Sequence, residues 1–158
     1  MDHELLRKVS ILRALTAEEL TAFAALLTLR TVPTRTRILE EGTVVRAFSI
    51  VVEGVVHVRR MTQKRELLLN RMGPGAFFGE INLFDPGVAT ASIYAMKPTK
   101  LAAIDYETFR TFMEANPATG YKIVTGMMVE TARRLRQTSA RLVNSVYWSG
   151  GAPPVQPS

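Results

Sequence analysis

The chain has 158 residues, 47% of them hydrophobic, which fits one globular domain with a real core and leaves little room for a second. Its formal net charge is +6, but the arginines are scattered, with short clusters only at Arg59-Arg60 and Arg133-Arg134-Arg136, so charge alone does not argue for a nucleic-acid partner. No cysteine is present, which excludes disulfides, thiol catalysis and cysteine metal sites, and His3 and His57 lack ligand-like spacing, so no metal site is expected.

The N-terminus is polar, and no run approaches the ~20 apolar residues of a membrane span. The expectation is a soluble, cytoplasmic protein. Leu5, Leu6 and Val9 share one face of a short amphipathic helix over residues 2–9. Ile11, Leu12 and Leu15 carry the apolar set through a turn. Thr16-Ala17-Glu18-Glu19 reads as a capping box, with Thr16 as N-cap and Glu19 at the third helical position. Leu20, Phe23, Leu26 and Leu27 then form the buried stripe of a second helix, predicted to end near Leu29.

Pro33 stops the helical pattern, and short strands with turn punctuation follow to about residue 105. Arg37–Glu40, Phe48–Val52, Val56–Arg59 and Arg65–Arg71 are four of them, with a tight turn at Glu53-Gly54. In the third, Val56 and Val58 alternate with His57 and Arg59, so His57 reads as a solvated strand-face residue. Ser92–Ala95 and Lys100–Ile104 are the last strands, split by a turn at Lys97-Pro98-Thr99. Many short strands at even spacing predict a closed β roll or barrel.

Between these strands lies Met72-Gly73-Pro74-Gly75-Ala76-Phe77-Phe78-Gly79-Glu80-Ile81, closed by Ala89-Thr90-Ala91-Ser92. It reads as a turn, a short apolar run, and a Gly-Glu pair opening one helical turn. Glycines let backbone approach a ligand, and the first amides of a helical turn are unpaired donors. Glu80, ionised, can only accept hydrogen bonds and suits a sugar hydroxyl. A phosphate-plus-ribose ligand is the expectation. Phe77 and Phe78 read as roll core and cassette packing.

A helix starts near Asp105 with Phe109, Phe112 and Met113 apolar, and Asn116-Pro117 breaks it. The last helix runs from about 117 to 147. Val124, Met128, Thr131, Leu135, Thr138 and Leu142 recur at spacings of four and three, a heptad seam that predicts homodimerisation. The alternative is a monomer with one wide face packed on the roll. Residues 1–148 are assigned to one domain. From residue 149 the chain is small residues and proline, and 149–158 is expected to be a disordered tail. No catalytic constellation, Walker-type loop or metal cluster appears, so an enzyme is not expected.

The cassette string Met72–Glu80, with Phe48–Val58 and Ala95–Thr99 in order around it, resembles the cyclic nucleotide-binding domain family. The resemblance covers about residues 5 to 147. It implies an α+β fold: a double-stranded, jelly-roll-like β roll with N-terminal helices and a long C-terminal dimerisation helix. Ala132–Asn144 is also similar to the central helix of the catabolite-activator branch of that family. By resemblance, Phe78, Gly79, Glu80, Ile81, Ala89, Thr90 and Ala91 become cassette contacts to ligand. Arg134 would pair with Glu80, and Thr138 and Ser139 would contact the purine at the dimer seam, one from each subunit.

The sequence departs from the family at one place. The family's cassette continues with Arg-Ser/Thr-Ala, the arginine pairing with the cyclic phosphate, and that slot here is Ala89. A forked charged pair is worth roughly 1.5–3 kcal/mol. Three outcomes stay open: weak binding of cyclic AMP or cyclic GMP, another ligand, or a ligand-independent interaction scaffold. The chain reads as a stand-alone, non-enzymatic regulatory domain for signal transduction, lacking a DNA-binding output domain and acting on an unknown effector protein. No further cofactor, and no membrane, is expected. A DNA-associated regulator acting through basic charge is the remaining alternative.

Overall fold

The structure, a computed structural model, describes residues 3–148; the predicted tail over 149–158 lies outside them. The first helix, α1, spans His3–Arg7, and a 3₁₀ turn follows at Ser10–Leu12. Helix α2, Ala17–Ala24, opens with the predicted capping box: Thr16 accepts from the Glu19 amide, and the Glu19 carboxylate accepts from the Thr16 amide. The helix ends earlier than the apolar spacing predicts. Leu26 and Leu27 fall in tight turns bonded three residues back, to Phe23 and Ala24. Strand β1, Thr28–Val32, then begins where the sequence reading extended a helix. Two threonines and a valine suit a strand, and pairing with the last strand of the chain, Thr99–Asp105, outweighs the local helical spacing.

Seven more strands follow: β2 Arg37–Leu39, β3 Ala47–Glu53, β4 Val56–Met61, β5 Glu66–Met72, β6 Phe77–Phe78, β7 Ser92–Ala95 and β8 Thr99–Asp105. They form two antiparallel four-stranded sheets, ordered β1-β8-β3-β6 and β2-β7-β4-β5. Short helix α3, Glu80–Phe84, interrupts the roll between β6 and β7. Helix α4, Tyr106–Ala115, starts at an Asp105 cap, and α5 runs over Pro117–Trp148.

Strand β3 explains why the roll has two cores. Residues Phe48 through Val52 are all buried, because both faces of the strand are covered. Val51 points with Val32, Val56, Met72, Phe78, Ile93, Ala95 and Leu101 into the space between the sheets. Phe48, Ile50 and Val52 point the other way, into a cluster with Leu20, Phe23, Phe109, Ile123 and Met127 of the helices. Phe23, Phe109, Phe48 and Phe77 form a chain of tilted rings with centroids 5.4–5.6 Å apart. This second core fixes α4 and the first half of α5 against the sheet that carries β6, and so against the cassette.

Glu19 ties the N-terminal helices to α5. Beyond its cap, its carboxylate accepts from Thr119 at 3.0 Å and from Lys122 at 2.7 and 2.8 Å. Gly126 lies against the 3₁₀ turn, where a Cβ would come within 2.8 Å of the Ile11 Cα. The second half of α5 meets the roll through arginines, Arg134 at Glu80 and Phe77 and Arg141 at the Leu69 carbonyl 3.5 Å away, while its apolar seam faces outward. Seam residues Met128, Leu135 and Leu142 are 66%, 66% and 63% exposed.

Candidate functional site

The turn before β6 follows from its residues. Pro74 occupies the position where a fixed φ is favourable, Gly75 takes φ +86°, and the Ala76 amide donates to the Gly73 carbonyl at 3.1 Å. That is a type II turn, which requires positive φ at its third residue. Gly79 is the second constrained glycine. Its φ is +88°, and any Cβ there would run into the Ala47 carbonyl oxygen of β3. The cassette is thus seated on β3 and turned so that Glu80 opens α3.

Three side chains from the helices hold this turn. Tyr106 donates its hydroxyl to the Gly79 carbonyl at 2.6 Å, and Arg110 donates to the Leu83 carbonyl at 2.6 Å. Burial, reinforced by the nearby Glu80 charge, pushes the Tyr106 hydroxyl up to about 12, so it stays a donor at neutral pH. Arg134 of α5 donates to Glu80 Oε1 at 2.9 Å and to the Phe77 carbonyl at 3.0 Å, with its guanidinium 4.4 Å from the Phe77 ring centroid.

Glu80 is 7% exposed. Burial pushes its carboxyl above the ordinary carboxylate value, and the Arg134 charge offsets only part of that rise. Its other oxygen has no side-chain partner among the described residues. The carboxylate lines a cleft of about 180 Å³. Strand and turn residues Leu39, Val58, Met72, Ala89, Ala91 and Ile93 make the apolar wall, and Asn70, Asn82 and Thr90 add polar groups. Such a space is smaller than the ~300–1,000 Å³ of typical small-molecule pockets. The cleft is open to solvent on one side.

Eight of the residues singled out from sequence line this cleft: Phe78, Gly79, Glu80, Ile81, Ala89, Thr90, Ala91 and Arg134. Thr138 and Ser139 do not. Both are exposed on α5, one to two turns beyond Arg134, and a purine contact from them needs α5 to move or a partner's helix to arrive. Ala89 is 4% exposed, and its backbone is already used: its amide donates to Thr43 and its carbonyl accepts from Gly42. Arg134 is the one cation lining the cleft among the described residues. Asn70 was not singled out in the sequence, and Met72 was read as the start of the cassette string rather than as a lining residue; the signal was the alternation of β5 opposite β4, which places Asn70 across from Val58. His57 is half-buried on its strand beside Arg59 and Arg71, away from the cleft lining.

A family model described as cyclic nucleotide-binding domain matches residues 29–116, more than half of the chain. The chain belongs to the cyclic nucleotide-binding domain family. Among curated relatives, the cAMP-activated global transcriptional regulator CRP of Haemophilus influenzae is 30% identical over 117 residues, which is 73% of this chain and 50% of that protein. The chain spans about half the length of the curated relatives it matches. Among solved structures, the Thermus thermophilus catabolite activator protein superposes with a TM-score of 0.77 at 27% identity, over 87% of this chain and 63% of that one. A cyclic nucleotide-binding domain from Methylobacillus flagellatus gives 0.81 at 21% identity, over 90% and 80%, a likeness of fold. In this cyclic nucleotide-binding domain the matched segment holds the whole roll after the first residue of β1, the cassette and α4, while Arg134 comes from α5 beyond it. Among the described residues no helix is long and apolar enough to cross a membrane, and no cluster of metal-ligating side chains occurs.

Proposed function

We propose that this chain is a non-enzymatic regulatory domain that takes a cyclic nucleotide, cyclic AMP first, into the cleft beside Glu80 and signals through protein–protein contacts. The observation that carries the reading is Glu80 itself. It is a buried carboxylate, tied on one oxygen to α5, that lines a cleft and has no side-chain partner on its second oxygen among the described residues. A ribose hydroxyl donating to that second oxygen would satisfy it. The cyclic phosphate would lie toward Thr90 with no free cation to meet it, since the resemblance puts Ala89 in the arginine slot and Arg134 is paired with Glu80. Binding is then weak. The named ligand of the Haemophilus relative supports cyclic AMP as the first candidate.

Arg134 gives the mechanism. It reaches from α5 to the carboxylate and to the β6 carbonyl, so ligand that engages Glu80 changes what α5 holds. A ligand shifts that helix only by the difference in its affinity for the two arrangements. Without a phosphate clamp that difference is small, and the switch is soft. The exposed seam of α5 supports a homodimer whose second helix completes the open wall.

A second reading, a ligand-independent interaction protein that keeps the fold, is favoured by the same cleft: its one lining cation is already paired. Titration calorimetry with cyclic AMP, cyclic GMP and cyclic di-GMP separates the two. Saturable heat with cyclic AMP supports the sensor; no heat from any of them at millimolar concentration supports the scaffold. The regulator names of the relatives also raise a DNA-associated role. Salt-dependent anisotropy with duplex DNA would establish that role, and its absence at low salt would dispose of it.

A further inference from the structure

A second cleft, of about 240 Å³, lies between the N-terminal turn, the Pro74-Gly75 turn and α5. Arg134 is the one lining residue that it shares with the cleft at Glu80. Four cations face it, Lys8, Arg13, Arg133 and Arg134, and one carboxylate, Glu130. Glu130 pairs with Arg133 and, at 3.4 Å, with Arg134 Nε. Burial alone would raise the Glu130 carboxyl, but hydrogen bonds and charge from Arg133 and Arg134 hold it below its ordinary value. It is a fixed internal anion.

Arg134 is further paired with Glu80, so two carboxylates stand against four cations, and two positive charges are left over. Lys8 and Arg13 are exposed, and their side chains make no hydrogen bond or ion pair with the described residues. Like charges brought together in one polar recess repel, and an arriving anion relieves that repulsion. Two guanidiniums with forked donors, Arg13 and Arg133, suit a tetrahedral oxyanion better than a single carboxylate. The Ser10 hydroxyl adds a neutral donor to the same wall. The recess, of about 240 Å³, is large enough for a compact anionic group.

We propose that this outer cleft binds the phosphoryl group of a small phosphorylated ligand, held by Lys8, Arg13 and Arg133. The site is separate from the cassette and does not depend on whether a cyclic nucleotide binds there. Because Arg134 contacts Glu130 on one side and Glu80 on the other, occupancy of the outer cleft is felt at the inner one.

Amide chemical shifts of the full-length chain, followed during titration with pyrophosphate, test the proposal. Saturable shifts are expected at residues 8–13, 74–77 and 130–134, and sodium chloride at equal ionic strength does not reproduce them. The Lys8→Ala/Arg13→Ala double variant, altered only at exposed side chains, should bind at least about tenfold more weakly, as expected for loss of charge-assisted bonds. Shifts that do not saturate, equal affinity in the double variant, or saturable shifts confined to Gly79, Glu80 and Thr90 would each overturn it. The last of these outcomes would place the anion in the cassette instead.

Discussion

Glu80 is a carboxylate held where water is scarce, and one guanidinium decides how much that costs. Removing it in Arg134→Ala leaves the charge buried without its partner, a loss of about 1–3 kcal/mol. The loss depends on pH. The folded-state value of Glu80 lies above the ordinary 4.5, so the penalty for keeping it ionised is full above the folded value. It disappears as pH falls below the ordinary value. Urea denaturation at pH 7 and pH 4 should therefore show a large difference between variant and parent at pH 7 and a small one at pH 4; equal differences would contradict the burial account. At this scale the sequence was informative where chemistry is local. Gly75 and Gly79 announce positive φ, and Glu80 follows the second directly. Asn70 and Met72 were not legible, because their place in the cleft depends on the register of β5 against β4. Thr138 and Ser139 were read by resemblance and lie outside the lining, because helix α5 carries them past the end of the cleft in this protomer.

Elements are fixed by caps that also serve as joints. Glu19 closes the first turn of α2 and binds Lys122 and Thr119 of α5, while Asp105 caps α4 through the Thr108 amide and hydroxyl. Hydrogen bonding from Lys122, then from the Thr16 amide, holds the Glu19 carboxyl below its ordinary 4.5, and the Thr108 hydroxyl and amide hold Asp105 below its ordinary 3.8. Depressed values of this kind stabilise the fold above the ordinary values, and that contribution is lost as pH falls through the folded ones. Hydrogen exchange should show α2 and the start of α4 losing protection below about pH 4 before β3 and β8 do. Loss of all elements together would contradict it. Thr16→Ala, measured at neutral pH, should cost about 1 kcal/mol. The capping box was legible because its signal spans four residues. The end of α2 was not, because β1 exists only through its pairing with β8, some seventy residues away in the chain.

For the molecule as a whole, two features stand outside the compact body: the seam of α5 and the cleft left open beside it. Exposed Met128, Leu135 and Leu142 at heptad spacing account for both if a second copy packs along α5. Leu135→Glu should then convert a dimer to a monomer by light scattering at micromolar concentration, with the melting of the roll unchanged. A monomeric parent at high micromolar concentration would remove the dimer. The β roll was legible as a fold because strand spacing, turn glycines and the cassette agree with one another. Occupancy of its cleft was not, because the residue that the resemblance places in the phosphate slot, Ala89, carries no charge.

Ala89 is buried at the wall of that cleft, which Glu80 also lines. The most direct measurement is calorimetric titration of the Ala89→Arg variant with cyclic AMP beside the parent chain. A forked arginine–phosphate pair should tighten binding by about one to two decades. An affinity unchanged by the arginine would contradict the account of this cleft as a cyclic nucleotide site that lacks its phosphate clamp.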